Sequence, residues 1–163
     1  MRRSYKLAVL IALTVFVTDQ VTKALVLKRL ALGESIEVLT GFFNIVRWHN
    51  TGAAFGMLGG GGFYSVLLIV LSFVAVGVIV YLYKYSDNIL TYTALSLIIG
   101  GALGNLLDRV RYGEVIDFLD FFVGKYHWYA FNVADSAITV GVVIGVIGYY
   151  ISEKRPEIIE DEG

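Results

Sequence analysis

Cysteine is absent from this sequence, and its 163 residues include a single proline, Pro156. The lack of cysteine excludes disulfide bonds, cysteine-ligated zinc or iron–sulfur sites and a cysteine nucleophile. Histidine is nearly as scarce, since the only two, His49 and His127, are far apart and have no ligand-like spacing around them. The sequence therefore predicts no metal site and no other cofactor.

Charge is also scarce. Only 17% of the residues are charged and the net charge is -1, whereas 57% are hydrophobic and the mean hydropathy is +0.72. A balanced charge gives no reason to expect a nucleic-acid partner. Such an apolar composition is typical of a protein whose solvent is lipid.

Four apolar stretches approach the length of about 20 residues that crosses a bilayer. The third is the shortest, because it runs directly into Asn105, Asp108 and Arg109. We expect a mostly α membrane protein with four transmembrane helices, at residues 7–27, 63–83, 91–107 and 130–151.

The first stretch follows Arg2, Arg3 and Lys6, so a cleaved signal peptide is the alternative to a retained helix. Its apolar run is longer than a signal core and contains Asp19 and Lys23 instead of a small-x-small cleavage site. Three further spans follow it. These features favour a retained helix.

Residues 33–50 alternate imperfectly between apolar and polar side chains, which predicts extended strands and a small sheet at the membrane surface. The run Gly59–Gly62 interrupts regular structure before the second span. We expect one domain, residues 1–155, followed by an acidic disordered tail, residues 156–163.

Positive charges in the short loops do not decide the orientation. One side would carry Arg2, Arg3, Lys6, Lys84, Lys154 and Arg155. The other would carry Lys28, Arg29, Arg47, Arg111 and Lys125. Because the first helix usually dominates, we expect both termini in the cytoplasm.

With four spans and short turns, the notable polar residues all fall at one end of the bundle. They are Asp19, Lys23, Asn50, Asn105, Asp108, Arg109, Asp117, Asn132 and Asp135. A charged side chain in a bilayer costs about 2.5–3.5 kcal/mol at a helix centre, so a cluster of them indicates a functional site.

Some members of this cluster have a structural alternative. Asp19 and Lys23 are four residues apart and oppositely charged, so they form either a scaffold ion pair or a substrate contact. Arg109 could instead reach the lipid headgroups. Asp135 lies near a helix start, where a carboxylate caps the helix and is favoured by its dipole.

Asp117 and Asp135 are the candidate catalytic pair. Asp117 lies between apolar neighbours, where an unpaired carboxylate is costly. The chain between the third span and Asp117, about nine residues, is long enough to fold back over the start of the fourth span. Two adjacent carboxylates in a low-dielectric site share one proton, which is the state that aspartic peptidases use.

Five segments together resemble a known family, lipoprotein signal peptidase or signal peptidase II. They are TDQVTK (18–23), NTGAAFG (50–56), GGALGNLLDR (100–109), VIDF (115–118) and FNVADS (131–136). Their order and spacing match those of the family from Thr18 to Ser136, most of the chain.

The resemblance implies an aspartic endopeptidase of the bacterial inner membrane, with its site facing the outer leaflet. It implies an enzyme that removes signal peptides from prolipoproteins, cutting just before a diacylglyceryl-modified cysteine. We expect a monomer. It also implies an extracytoplasmic sheet with a short surface helix near Ala54–Leu58. The roles carried over are catalytic for Asp117 and Asp135, substrate-binding or orienting for Asn50, Gly52, Asn105, Arg109 and Asn132, supporting for Asp19 and Lys23, and structural for Asp108.

Two other classes compete with a peptidase. A small proton or ion carrier would relay charge through buried acids, but we expect its polar residues nearer the midplane, with inverted repeats. An assembly subunit could use Gly141 and Gly145 in helix contacts, but this would leave the carboxylate pair unexplained. We expect these glycines to pack helices within this bundle.

Overall fold

The computed structural model describes residues 2–51, 62–83 and 88–153. The helices are α1 Arg2–Arg29, α2 Gly62–Tyr83, α3 Ile89–Tyr112 and α4 Val133–Glu153. The strands are β1 Ser35–Leu39, β2 Phe43–Asn50, β3 Val115–Val123 and β4 Tyr126–His127. Gly52, the predicted surface helix, most of the glycine run and the acidic tail lie outside the described residues.

Among the residues that the structure describes, three helices are long and apolar enough to cross a membrane: α1 over Tyr5–Arg29, α3 over Ile89–Tyr112 and α4 over Val133–Ile151. Helix α2 contributes a shorter apolar segment, Val66–Ile79. A mostly helical membrane fold with a small sheet is therefore confirmed.

Helix α3 extends past residue 107, where hydropathy predicts its end, and continues to Tyr112. The apolar run is shorter than the helix because it is interrupted by the polar residues Asn105 and Asp108. Both side chains are buried and paired inside the protein. The helix ends instead at Gly113, whose φ of 77° needs glycine and whose N–H donates to the Arg109 carbonyl at 3.0 Å.

The sheet is antiparallel in the order β1-β2-β3-β4. Strands β1 and β2 fall within the predicted extended segment, residues 33–50. Strand β3 was missed, because Val115 to Phe118 are all buried and so lack the alternation of a half-exposed strand. Its pairing with β2 sets Trp48 opposite Asp117 and Asn50 opposite Val115.

Helix α3 packs against the other three helices, and glycines bring two of them close. A Cβ at Gly100 would lie 2.6 Å from the Ala12 carbonyl oxygen of α1. A Cβ at Gly141 would lie 2.8 Å from the Ala94 carbonyl oxygen, which confirms its predicted role in helix packing. These contacts bring the polar residues of α1, α3 and α4 together at the sheet end.

Gly101 should be intolerant of a side chain. A Cβ there would lie 2.4 Å from the Ala134 carbonyl oxygen, so Gly101→Ala must separate α3 from α4. We expect a loss of about 1–3 kcal/mol in unfolding free energy, read as a lower thermal midpoint in detergent. Gly145→Ala is the matched control, since its Cβ would lie 3.5 Å from the Ala94 Cβ, an ordinary contact. Equal midpoints for the two variants would contradict this packing.

Candidate active site

Lys23 is the buried cation at the sheet end of the bundle, with 2% of its surface exposed. Its ammonium group lies 2.8 Å from Asp19 Oδ2 and 2.7 Å from Asp108 Oδ2, and it donates to Asn105 Oδ1 at 3.0 Å. An ammonium group has three protons, so each has an acceptor. The predicted Asp19–Lys23 ion pair is confirmed, and Asp108 proves to be its second anion.

Asp19 and Asp108 also accept backbone N–H groups. Asp19 Oδ1 accepts from the N–H of Ala134 at 2.9 Å, in the first turn of α4, where helix N–H groups lack partners. Asp108 Oδ2 accepts from the N–H of Ile116 in β3 at 3.2 Å. One buried cation therefore joins α1 to α3, and its two anions join both helices to β3 and α4.

Gln20 is the member of this cluster that sequence reasoning missed. Its amide nitrogen donates to Asp108 Oδ1 at 3.0 Å and to Asp19 Oδ2 at 3.2 Å. The only signal was its position beside Asp19, because nothing in the sequence shows that a glutamine faces a second helix. We call Asp19, Gln20, Lys23, Asn105 and Asp108 the Lys23 network.

The amide of Asn105 connects this network to Asp135. Its oxygen accepts from Lys23, so its nitrogen must face away from the cation, and it donates to Asp135 Oδ1 at 2.8 Å. The oxygen also accepts from the Asn132 amide at 3.1 Å. Lys23 thereby determines which end of the Asn105 amide meets the carboxylate.

Asn132 lies between the two candidate catalytic carboxylates and is fully buried. Its side-chain nitrogen donates to Asp117 Oδ1 at 2.8 Å, while its side-chain oxygen accepts from the Asp135 N–H at 2.9 Å. Asp135 Oδ2 in turn accepts from the Asn132 N–H at 3.3 Å. This reciprocal pair is a capping box at the start of α4, so Asp135 does have the capping contact that was considered as its structural alternative.

Asp117 is 3% exposed and accepts two amide donors, Asn132 on one oxygen and Asn50 on the other at 2.9 Å. Burial raises the pKa of Asp117 to about 6, because it disfavours the charged form. The hydrogen bond from Asn50 lowers this pKa, and the charge of Asp135 raises it. The carboxyl groups of Asp117 and Asp135 are therefore electrostatically coupled.

Arg109 supplies positive charge near this pair. Its guanidinium donates to the Asn105 carbonyl at 3.5 Å and interacts electrostatically with Asp108, Asp117 and Asp135. The side chain is half-buried. Contact with lipid headgroups, the alternative for this residue, does not account for these interactions.

The structure thus collects all but one of the predicted site residues, and the exception, Gly52, lies outside the described part of the chain. Within residues 2–51, 62–83 and 88–153, no three histidine, aspartate or glutamate side chains converge as metal ligands. The site therefore contains two electrostatically coupled carboxyl groups, of Asp117 and Asp135, which accept hydrogen bonds from the side chains of three asparagines.

A sequence model of the peptidase family described as signal peptidase (SPase) II matches residues 11–151, which include the whole of this site. The chain belongs to the signal peptidase II family. Among curated relatives, "Lipoprotein signal peptidase" of Burkholderia mallei (strain SAVP1) is 52% identical over 136 residues, 82% of this chain and 81% of its own length. The protein of the same name from Geobacter sulfurreducens is 45% identical over 157 residues, 95% of this chain and 98% of its own.

The fold of this signal peptidase II family member also matches solved structures. One, described as a bacterial membrane enzyme, has a TM-score of 0.82 and 35% identity over 95% of this chain and 94% of its own. Another has a TM-score of 0.79 and 37% identity over 88% of this chain.

Lys23→Met should be strongly destabilising, because it leaves the carboxylates of Asp19 and Asp108 buried without their cation. We expect a loss of about 3–5 kcal/mol in unfolding free energy, measured as the thermal midpoint in detergent. Lys28→Met, on the exposed last turn of the same helix, should change it by less than about 0.5 kcal/mol. Adding Asp108→Asn to Lys23→Met should recover part of the loss, and a double variant no more stable than the single one would count against this network.

Proposed function

We propose that this protein is a membrane-embedded aspartic endopeptidase that cleaves signal peptides from diacylglyceryl-modified prolipoproteins, just before the lipidated cysteine. Membership of the signal peptidase II family supports the peptidase class, and the names of its relatives support the substrate class. The observation that carries the aspartic mechanism is the placement of Asp117 and Asp135 on either side of Asn132.

The two carboxyl groups divide the chemistry between them. With its pKa raised to about 6, Asp117 retains a proton below that pH and serves as the acid, which leaves the role of the base to Asp135. Asp135 removes a proton from water, the oxygen attacks the scissile carbonyl carbon, and Asp117 donates its proton to the carbonyl oxygen. The tetrahedral intermediate then collapses: Asp135 delivers the proton that it took from water to the leaving nitrogen, Asp117 takes a proton back from one hydroxyl of the intermediate, and the carbon–nitrogen bond breaks to give the amine and the carboxylic acid.

The surrounding residues act as positioning groups. Asn50 and Asn132 each donate to one oxygen of Asp117, which fixes the plane of its carboxyl group. Asn105 fixes Asp135 in the same way. The charge of Arg109 offsets the repulsion that grows when both carboxyl groups are ionised.

The site lies at the bilayer surface on the extracytoplasmic side. It is at the end of the bundle where α1 finishes and α4 begins, so the start of α1 and the end of α4 lie toward the opposite end. Positive charges precede the first span, and because the first helix usually dominates orientation, they support a cytoplasmic location for that opposite end. One chain supplies both carboxyl groups and their amide donors, which supports a monomeric enzyme of the bacterial inner membrane.

Replacing either carboxyl group of the pair by an amide should abolish cleavage while leaving the protein folded. We expect Asp117→Asn and Asp135→Asn each to lower kcat on a purified diacylglyceryl-modified prolipoprotein by at least about 10²–10⁴-fold, since each loses an ionisable group of the pair. The matched control is Asp120→Asn, a buried aspartate of the same strand that binds Asn44 and His127. Asp120→Asn should cleave at close to the wild-type rate. Substantial cleavage by Asp117→Asn, with its thermal midpoint preserved, would contradict the proposed aspartic mechanism.

The pH profile tests the shared proton. Asp117 holds its proton below a pKa of about 6, so kcat/KM should be high below that pH and fall as the pH rises through it and Asp117 loses that proton. Because the hydrogen bond from Asn50 lowers this pKa, Asn50→Ala should move the falling limb to higher pH. If the fall in kcat/KM occurs at the same pH in Asn50→Ala as in the wild type, it reports the ionisation of a group other than Asp117.

A further inference from the structure

An apolar groove of about 260 Å³ lies on the outside of α1 at the sheet end, where the helix meets the sheet. Its buried wall consists of Val26, Leu30 and Phe118, which pack together as a small core. Leu25 and Ile36 form its rim and are 47% and 50% exposed. The groove therefore opens to whatever surrounds the protein at this level.

The end of the groove at Thr22 offers no free polar group to a bound molecule. Thr22 is its polar residue on α1, and the Thr22 hydroxyl donates to the Thr18 and Asp19 carbonyls of its own helix, at 2.8 and 2.9 Å. From Thr22 to Arg29 the groove follows seven residues of α1, a distance of about 10 Å along the axis. This length and lining suit part of a hydrocarbon chain.

Arg29 stands at the other end of the groove, on the last turn of α1, and is exposed. Among the described residues its guanidinium forms no ion pair or hydrogen bond. The neighbouring charged groups are engaged elsewhere: Glu34 accepts from the Ala31 N–H, and Arg47 donates to the Leu30 carbonyl at 3.0 Å. A cation at the end of an apolar groove fits an amphiphile with an anionic head.

We propose that this groove binds an anionic phospholipid of the surrounding bilayer, with one acyl chain along the wall and the phosphate paired with Arg29. The apolar span of α1 ends at Arg29, so the guanidinium lies at the level of the headgroups while the groove lies among the acyl chains. The lipid of the proposed substrate is a different occupant: a diacylglyceryl thioether has no phosphate, so it would leave Arg29 unpaired.

Native mass spectrometry of the full chain in detergent tests this directly, with dioleoylphosphatidylglycerol and dioleoylphosphatidylcholine as probes of matched acyl chains. We expect the wild type to prefer the anionic lipid and Arg29→Gln to weaken its binding by about fivefold. The matched control is Arg111→Gln, an exposed arginine on the last turn of α3, which should leave binding unchanged. Ile36→Trp, which fills the groove from its rim, should lower the binding of both lipids.

Three outcomes would overturn the proposal. Equal losses in Arg29→Gln and Arg111→Gln would indicate general attraction between charges, and full binding by Ile36→Trp would show that the acyl chain lies elsewhere. A raised KM for the lipidated substrate in Arg29→Gln, with phospholipid binding intact, would make the groove part of the substrate site. Because the primary readout is lipid binding, the proposal stands or falls independently of the proposed peptidase activity.

Discussion

The buried charge of Lys23 is the constraint on which the rest of the site depends. An ammonium group away from water must find acceptors, and it finds them in Asp19 of its own helix and in Asp108 and Asn105 of α3. These contacts fix the position of α1 relative to α3. Asp19 accepts the Ala134 N–H at the start of α4 with its other oxygen, and Asp108 Oδ2, which also binds Lys23, accepts the Ile116 N–H in β3. The same cation therefore indirectly positions α1, α3, β3 and α4.

The orientation of the Asn105 and Asn132 side-chain amides links the position of Lys23 to the two carboxyl groups. Because the Asn105 oxygen faces Lys23, its nitrogen faces Asp135, and because the Asn132 oxygen accepts from the Asp135 N–H, its nitrogen faces Asp117. Both carboxyl groups thus meet donors that were oriented by other contacts. Asp135 shows that a helix-capping residue and a proposed catalytic residue need not be alternatives, since one oxygen accepts the capping N–H and the other accepts from Asn105.

Hydropathy predicted the membrane helices well, because each must be apolar along most of its length whatever its neighbours are. The apolar run of the third helix is shorter than α3 itself, because Asn105 and Asp108 are polar and their partners on other elements are visible only in the structure. The sequence analysis missed β3 because a strand that is covered on both faces shows no alternation of polar and apolar side chains. Both differences arise where burial depends on residues distant in the chain.

The sequence by itself determined that the protein is apolar enough for lipid, that its polar residues gather at one end, and that Asp117 and Asp135 are the acids to consider, with the family motifs in register around them. Only the tertiary structure decided how these residues meet: that Lys23 has two anions, that Gln20 joins them, and that Asn132 lies between the two acids. Side-chain polarity is a property of each residue, so it is known from the sequence alone. Hydrogen-bond partners separated by tens of residues are created by the packing of helices and strands, so they can be read only from the fold.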